Sequence, residues 1–247
     1  MTLQDYSDYL VDWLNEQRTE LYKMQGFVVG ISGGIDSAVV AHLLAKTNAP
    51  VHGLILPSPT TAQADIEDAI AVAKSAGLTY TIAPISSTYT AFMDSMASLL
   101  NAEADRQNVI AGNVQARLRM IALYAYAQSH NAMVVGTDNA AEWYMGYFTK
   151  FGDGGVDVVP LAHLSKTQVF EMAKLLGVPA SVLDKAPSAG LWVGQTDEDE
   201  MGVSYREIDT HLMGEPLSEQ AMERINYWHN RSHHKRMLPP QPKPFTP

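Results

Sequence analysis

The sequence predicts an α/β fold in which a central parallel sheet is covered on both faces by helices. Four short β-rich runs, "FVVGI", "VHGLIL", "LTYTIAPI" and "AMVVG", are separated by helical stretches at about 36–46, 64–76 and 107–129. Strands alternating with helices join in parallel through right-handed crossovers, which place helices against the sheet. The composition supplies the core that such a fold needs. Of 247 residues, 46% are hydrophobic and 18% charged, with no long biased stretch, as in globular chains rather than disordered ones.

The first element is a helix. Leu3, Tyr6, Leu10, Trp13, Leu14, Leu21 and Met24 recur near a 3.6-residue period, and Gly26 ends the pattern. The first strand then runs into a glycine-serine turn and a second helix, "VVGISGGIDSAVVAHLL". In a parallel sheet, ligands bind outside the carboxyl ends of the strands, which places Ser32, Pro57 and Thr137 at that edge. From Asp138 to Gln195 the chain is richer in Gly, Asp and Pro, with one clear helix near 166–176 between loops. Loops of this kind usually carry sites. No repeat or linker divides the chain, so residues 1–247 are expected to form one domain.

Charge and composition exclude several classes. A net charge of −10 argues against general nucleic-acid or membrane-surface binding, which needs a basic face, and leaves open a local cationic pocket. The start, "MTLQDYSDYLVDWL", has early acids and neither part of a secretory signal. The most apolar helical run, "VQARLRMIALYAYA", carries Arg117 and Arg119 and is too short to span a bilayer. The expected location is cytoplasmic. The absence of cysteine removes disulfides, thiolate zinc sites and any cysteine nucleophile from this chain.

The turn admits several readings. Gly30-Ile31-Ser32-Gly33-Gly34 satisfies G-x-S-x-G, the nucleophile elbow of α/β-hydrolases, but an elbow serine follows several strands and Ser32 follows one. Neither a Walker A loop nor G-x-G-x-x-G can be drawn here. A glycine turn without a ligand is the plain alternative. Two serines flanking the glycines at a helix start favour an anion site, with Gly30 to Ser37, Ile35 included, around it. Asp36 discriminates further. A carboxylate facing a polyphosphate repels it unless a divalent cation lies between them, which implies Mg²⁺; alternatively, Asp36 only complements the helix dipole.

At this point the chain resembles a known family. "SGGIDS" after a strand is similar to the pyrophosphate loop of the N-type ATP pyrophosphatases. "NVQARLRM", "VVGTDNAAEWYMGYFTKFGDGGVDVVPL", "LSKTQVFEMAKLLGVP", "KAPSAGL", "GQTDEDEMGVSYREID" and "HHKRMLPPQP" narrow the resemblance to the ammonia-dependent NAD synthetases, in family order from about residue 28 to the C-terminus. The resemblance implies a Rossmann-like three-layer fold of the adenine nucleotide alpha hydrolase type and a homodimer. It also implies amidation of deamido-NAD to NAD with ATP and ammonia, through an adenylated carboxylate, releasing AMP and pyrophosphate. Glutamine-using members carry a further nitrilase-like domain with a catalytic cysteine, so no glutaminase is expected in this chain. Two stretches depart from the pattern: "LPSPTTAQAD" where "LPYG" is common, and Ser188 where threonine is frequent. These bear on the adenine pocket, Leu56 to Ala64, and on loop details more than on the chemistry, and they leave two alternatives: a related adenylating, amide-forming ligase with another acid substrate, and a nucleotide-binding sensor without turnover.

The remaining motifs carry two readings each. On the helix through "NVQARLRM", steps of 100° place Arg117 beside Val114, Leu118 and Ile121, towards the buried side, with Arg119 opposite. By periodicity Arg117 pairs with an acid; by resemblance it contacts deamido-NAD. Glu142 reads as a solvated carboxylate or, by resemblance, as the second Mg²⁺ ligand beside Asp36, with Thr137 as an ATP contact. "TKFGDGGVD" reads as a surface loop whose glycines let the backbone approach a ligand; the resemblance assigns Lys150 and Asp157 to deamido-NAD. Lys166, after the N-cap candidate Ser165, is implied to bind ATP phosphates, and Ser188 to contact ATP. Asp153 is a candidate acceptor for a proton from ammonium, by its place in the glycine loop. "DEDE", Asp197 to Glu200, is a helix start after Thr196 rather than a metal cluster. His229 and His233 form a weak His-x-x-x-His pattern, whereas the resemblance selects His234 and Lys235 as deamido-NAD contacts.

Overall fold

The computed structural model describes residues 1–100, 103–185 and 196–245. Strands β1 (Gly26–Gly30), β2 (Val51–Ile55), β3 (Thr79–Ile82) and β4 (Ala132–Val135) form one parallel sheet in the order β3-β2-β1-β4. Helices α1 (Leu3–Glu16), α2 (Ile35–Ala45), α3 (Gln63–Ser75), α4 (Ser86–Met96) and α5 (Ala104–His130) belong to this half. The chain continues through α6 (Ala140–Met145), α7 (Lys166–Leu176), α8 (Ala180–Leu183), α9 (Asp197–Met201), α10 (Tyr205–Leu212) and α11 (Glu219–Arg231).

Alternation along the strands builds the three layers. Phe27, Val29, Ile31, Ile55, Met133 and Val135 enter a core shared with α1, α2, α3 and α7. Val28, Leu54, Leu56 and Val134 point the other way, beneath α5, because successive strand side chains face opposite sides. Helix α2 is buried from Ala38 to Leu44 on every side, as a helix enclosed by other elements must be. A third apolar cluster, with Met145, Met201, Ile208 and Ile225, ties α6, α9, α10 and α11 together.

The strand order fixes where a ligand can lie. From β1 the chain moves outward to β2 and β3, then returns to add β4 on β1's other side. The crevice beyond the carboxyl ends of β1 and β4 is therefore the topological switch point. Ser32 and Thr137 flank it, as expected.

Two expectations from helical periodicity are corrected. The first helix does not keep its register to Gly26: α1 ends at Glu16 and widens into a π-helical turn over Gln17–Leu21. A π-turn shifts the side chains after it, and Leu21 is exposed. On α5 the faces are reversed. Arg117 is exposed and Ile121 is 57% exposed, while Arg119 turns inward and donates from Nε to the Leu56 carbonyl at 3.0 Å. The buried side of α5 includes the small residues Gly112, Ala116 and Ala127, which an apolar-stripe count overlooks. Among the described residues, no helix is long and apolar enough to cross a membrane.

Candidate active site

The corner between β1 and α2 is preformed by its own polar groups. Ser32 N–H donates to Ser37 Oγ at 3.2 Å, the two serine hydroxyls lie 3.1 Å apart, and Gly34 N–H donates to Ser32 Oγ at 3.2 Å. Ser37 Oγ also donates to the Gly34 carbonyl at 2.9 Å. Gly33 has φ +84°, and a Cβ there would lie 2.4 Å from the Asp65 carbonyl oxygen. The turn is thus pressed against the start of α3, and only glycine fits. Backbone bonding along α2 begins with Ala38 N–H to the Gly34 carbonyl, so the N–H groups of Ile35, Asp36 and Ser37 have no helical acceptor and face the crevice end.

At the mouth of this corner, Lys166 Nζ lies 2.6 Å from Asp36 Oδ2 and 3.3 Å from Glu142 Oε1. Lys166 starts α7, where Ser165 caps the helix reciprocally with Gln168. Asp209 of α10 accepts from the N–H groups of Lys166 and Thr167 at 3.0 and 2.9 Å. Burial alone would lower the Lys166 pKa, but the carboxylates of Asp36 and Glu142 outweigh it and raise it. The Glu142 carboxyl is pushed up to about 7, by burial first and by Asp36 second.

Glu142 is held by the N-terminus of α6. Asn139 and Glu142 form a capping box: Asn139 N–H donates to Glu142 Oε2 at 3.0 Å, and Glu142 N–H donates to Asn139 Oδ1 at 3.0 Å. Asn139 Nδ2 also donates to Asp36 Oδ1 at 2.8 Å. One asparagine thereby couples the β4–α6 connection to the β1–α2 corner. Tyr205 Oη lies 2.8 Å from Asp197 Oδ2 and 3.3 Å from Glu142 Oε1, so its proton goes to Asp197. Two carboxylate oxygens, one from Asp36 and one from Glu142, thus face a single cation position. That is the donor set Mg²⁺ takes when phosphates and waters complete its shell.

The loop after α6 assembles a second group. Lys150 Nζ donates to the His234 carbonyl at 2.6 Å, and Arg117 Nη2 donates to the Lys150 carbonyl at 3.3 Å. Lys235 Nζ donates to the carbonyls of Gly146 and Phe148 at 2.7 and 2.6 Å. Arg117, Lys150, His234 and Lys235 therefore meet around one loop. Asp153 Oδ1 accepts from Thr149 N–H at 2.8 Å while the residue stays exposed. Asp157 is stitched into the sheet: Tyr124 Oη donates to Oδ1 at 3.1 Å and Val134 N–H to Oδ2 at 2.8 Å. Internal packing already requires two of the loop glycines, since a Cβ on Gly154 would lie 2.4 Å from the Phe148 ring and one on Gly152 2.8 Å from Thr149.

A family model described as NAD synthase matches residues 6–239. The chain belongs to the NAD synthase family. The NH(3)-dependent NAD(+) synthetase of Mannheimia succiniciproducens is 61% identical over 238 residues, which cover 96% of this chain and 95% of that protein. Among solved structures, NMN synthetase from Francisella tularensis is 54% identical with a TM-score of 0.93, over 98% of this chain and 99% of that one. NH3-dependent NAD synthetase from Campylobacter jejuni subsp. jejuni, in complex with the nitrate ion, is 28% identical with a TM-score of 0.80, over 98% and 100% of the two chains.

In this NAD synthase-family chain the three-layer fold brings Asp36, Glu142 and Lys166 together from three separate segments. Thr137 stands half-buried beyond β4. Ser188 lies outside the described residues; just before it, Lys185 pairs with Asp65 and, at 3.1 Å, with Asp68 on α3. Thr196 caps α9, accepting from Asp199 N–H at 3.3 Å, so "DEDE" is a helix start as expected. His229 is engaged with the Tyr144 carbonyl at 2.9 Å. Among the described residues no three His, Cys, Asp or Glu side chains form a metal-holding group. Sequence reading overlooked Asn139, Asp138, Tyr205 and Asp209. Asn139 had a signal in "NAAE", a capping-box spacing; the others act across 43 residues or more or through burial, for which sequence offers no local sign.

Proposed function

We propose that this chain amidates the nicotinic acid carboxylate of deamido-NAD with ammonia, at the expense of ATP. A carboxylate resists ammonia because its charge quenches the carbonyl carbon, so it must be activated. Its oxygen attacks the α-phosphorus of ATP, the bond to the β-phosphate bridging oxygen breaks, and pyrophosphate leaves towards the Ser32–Ser37 corner. Ammonia then forms the C–N bond and AMP departs with the C–O electrons. The observation that carries this reading is the meeting of Asp36, Glu142 and Lys166 at the mouth of a preformed anion corner.

Each residue has a place in this scheme. The corner's N–H groups and the α2 dipole hold the leaving pyrophosphate. Asp36 and Glu142 are the residues that would hold Mg²⁺, and Lys166, now paired with both, would be free to meet phosphate oxygens with the ion in place. When bound, Mg²⁺ supplies charge neutralisation on the phosphates. Thr137 borders the nucleotide beyond β4. Arg117, Lys150, His234 and Lys235 form the rim that receives the anionic acid substrate, and Asp157 orders that rim through β4 and Tyr124 rather than with a free carboxylate. Holding both reactants aligned can replace much of the need for a side-chain nucleophile.

The homodimer expected by resemblance is supported by exposed apolar side chains on α4 and α5, namely Phe92, Val109 and Ile121. A cytoplasmic location fits the use of ATP. Without a cysteine in this chain, ammonium rather than glutamine is the nitrogen donor to this chain alone.

A second reading concerns the acid. The 54% identity to the Francisella tularensis NMN synthetase favours nicotinic acid mononucleotide, which presents the same carboxylate and lacks the adenylyl half. Mixing protein, ATP, Mg²⁺ and ammonium with either acid tests both readings. AMP and pyrophosphate should form one-to-one with the amide, and the larger kcat/KM names the substrate. ADP with orthophosphate would sink the scheme.

A further inference from the structure

Asp138 belongs to no role assigned so far. It follows Thr137 at the carboxyl end of β4, in the switch-point crevice, and only 5% of it is exposed. Its Oδ2 has no hydrogen-bond partner. A buried carboxylate oxygen without a donor is costly, so such an atom needs a reason. The charged groups whose fields reach it are the acids Asp153, Glu142 and Asp36 and one cation, Lys235. That lysine is bonded to the carbonyls of Gly146 and Phe148, and Lys166 is bonded to Asp36 and Glu142. The surroundings of Asp138 thus hold more acid than base, and its orphan acceptor points to a cation with N–H donors.

We propose that Asp138 Oδ2 binds the substrate ammonium ion, holding it beside the activated carboxylate. This rests on the amidation reading above. Ammonium gives one proton to Oδ2: its N–H bond breaks, an O–H bond forms, and neutral ammonia keeps the lone pair. That pair attacks the acyl carbon of the adenylate, the C–O bond breaks with its electrons on AMP, and the surplus proton on nitrogen goes to the departing phosphate. Burial and the surrounding acids raise the Asp138 pKa well above the ordinary carboxylate range, which suits an acceptor in this step. Asp153, previously a candidate for the same task, has Oδ1 committed to Thr149 and is open to solvent.

The test separates the two half-reactions. Exchange of labelled pyrophosphate into ATP, with acid substrate and Mg²⁺, needs no ammonium and reports adenylation. Asp138→Asn should exchange at close to the wild-type rate, while its KM for ammonium rises about tenfold to a hundredfold, the range for losing a hydrogen bond to a charged group. Hydroxylamine, neutral at pH 8, needs no cation site and should still give hydroxamate at close to the wild-type rate. An unchanged ammonium KM, a higher Mg²⁺ requirement or an equal loss with hydroxylamine would overturn the proposal. If Asp138→Asn loses exchange, Asp138→Ser is judged by the same readouts, and loss of exchange in both also overturns it. Wild-type protein without exchange would instead sink the amidation reading itself.

Discussion

The β1–α2 corner and the crevice beyond β4 lie side by side, yet they treat polar groups in opposite ways. In the corner, Ser32, Gly34 and Ser37 satisfy one another, and Asp36 is bonded to both Asn139 and Lys166. Beyond β4, Asp138 is buried with an unpaired oxygen, and Glu142 is raised to about 7 by burial and by Asp36. The difference is between a rigid cradle, whose parts position each other, and a group of buried acids left electrostatically unfinished. Polar networks that are complete give fixed geometry, whereas incomplete ones store a demand that a ligand can meet. On the proposed scheme, the first holds the leaving group and the second awaits the incoming nitrogen.

The largest effect that would break this contrast is expected at Asp36. Asp36→Asn removes one of the two acids around the Lys166 position and should lower AMP and pyrophosphate formation by at least about a hundredfold, the scale for losing a preorganised charge at a reacting phosphate. Pyrophosphate exchange should fall with it, unlike in Asp138→Asn. Exchange at near the wild-type rate in Asp36→Asn would show that the corner does not serve adenylation.

Two glycines sharpen the contrast through stability. Gly33→Ala forces a left-handed φ of +84° on alanine and drives its Cβ to 2.4 Å from the Asp65 backbone oxygen; a cost of about 2 kcal/mol or more is expected in urea unfolding. Trimming the Asp65 side chain should not relieve it, because the clash is with backbone. Gly154→Ala meets the Phe148 ring instead, and an overpacking cost of about 1–3 kcal/mol follows. Phe148→Leu in the same chain should recover part of that cost, seen as non-additivity in a double-mutant cycle. Strict additivity at Gly154, or relief at Gly33 by Asp65→Ala, would contradict this account.

How far the molecule was legible in its sequence follows the same divide. The four strands, the turn and α2 were readable because period, glycine and serine spacing are local signals, and the parallel order followed from the alternation with helices. Arg117 falls on the wrong face because the buried side of α5 includes Gly112, Ala116 and Ala127, which a count of large apolar residues misses, while Ile121, which such a count places inside, faces solvent. The acid pocket was half legible. Asp36, Glu142 and Lys166 could be named from motifs, but their convergence spans 130 residues, and no spacing rule encodes it. Asp138 was passed over because nothing in "GTDNAAE" distinguishes a buried, unpaired aspartate from a turn residue.

The smallest effect expected lies in the corner's own helix, where α2 carries a titratable group that is satisfied when neutral. His42 is buried, with Nδ1–H donating to the Ala38 carbonyl at 2.8 Å and Nε2 facing the Ser75 hydroxyl at 3.2 Å. Burial lowers its pKa below the ordinary 6.5, and Lys46 adds to this, against a hydrogen bond to Ala38 that works the other way. The unfolded chain therefore binds the proton more readily. The contribution of His42 to stability is complete above about pH 6.5 and is lost as pH falls through the lowered folded value. Glu142 acts with the opposite sign: its carboxyl, raised from 4.5 to about 7, favours the fold most at acid pH and loses that contribution as pH rises through 7. Urea midpoints from pH 8 to 5 should thus be compared as differences between wild type and His42→Leu, which cannot titrate at this site. The variant should lose part of the decline on the acid side and keep the alkaline limb unchanged. Parallel curves across the whole range would mean that the histidine is as easily protonated in the fold as out of it, and that the corner tolerates a buried charge that its geometry argues against.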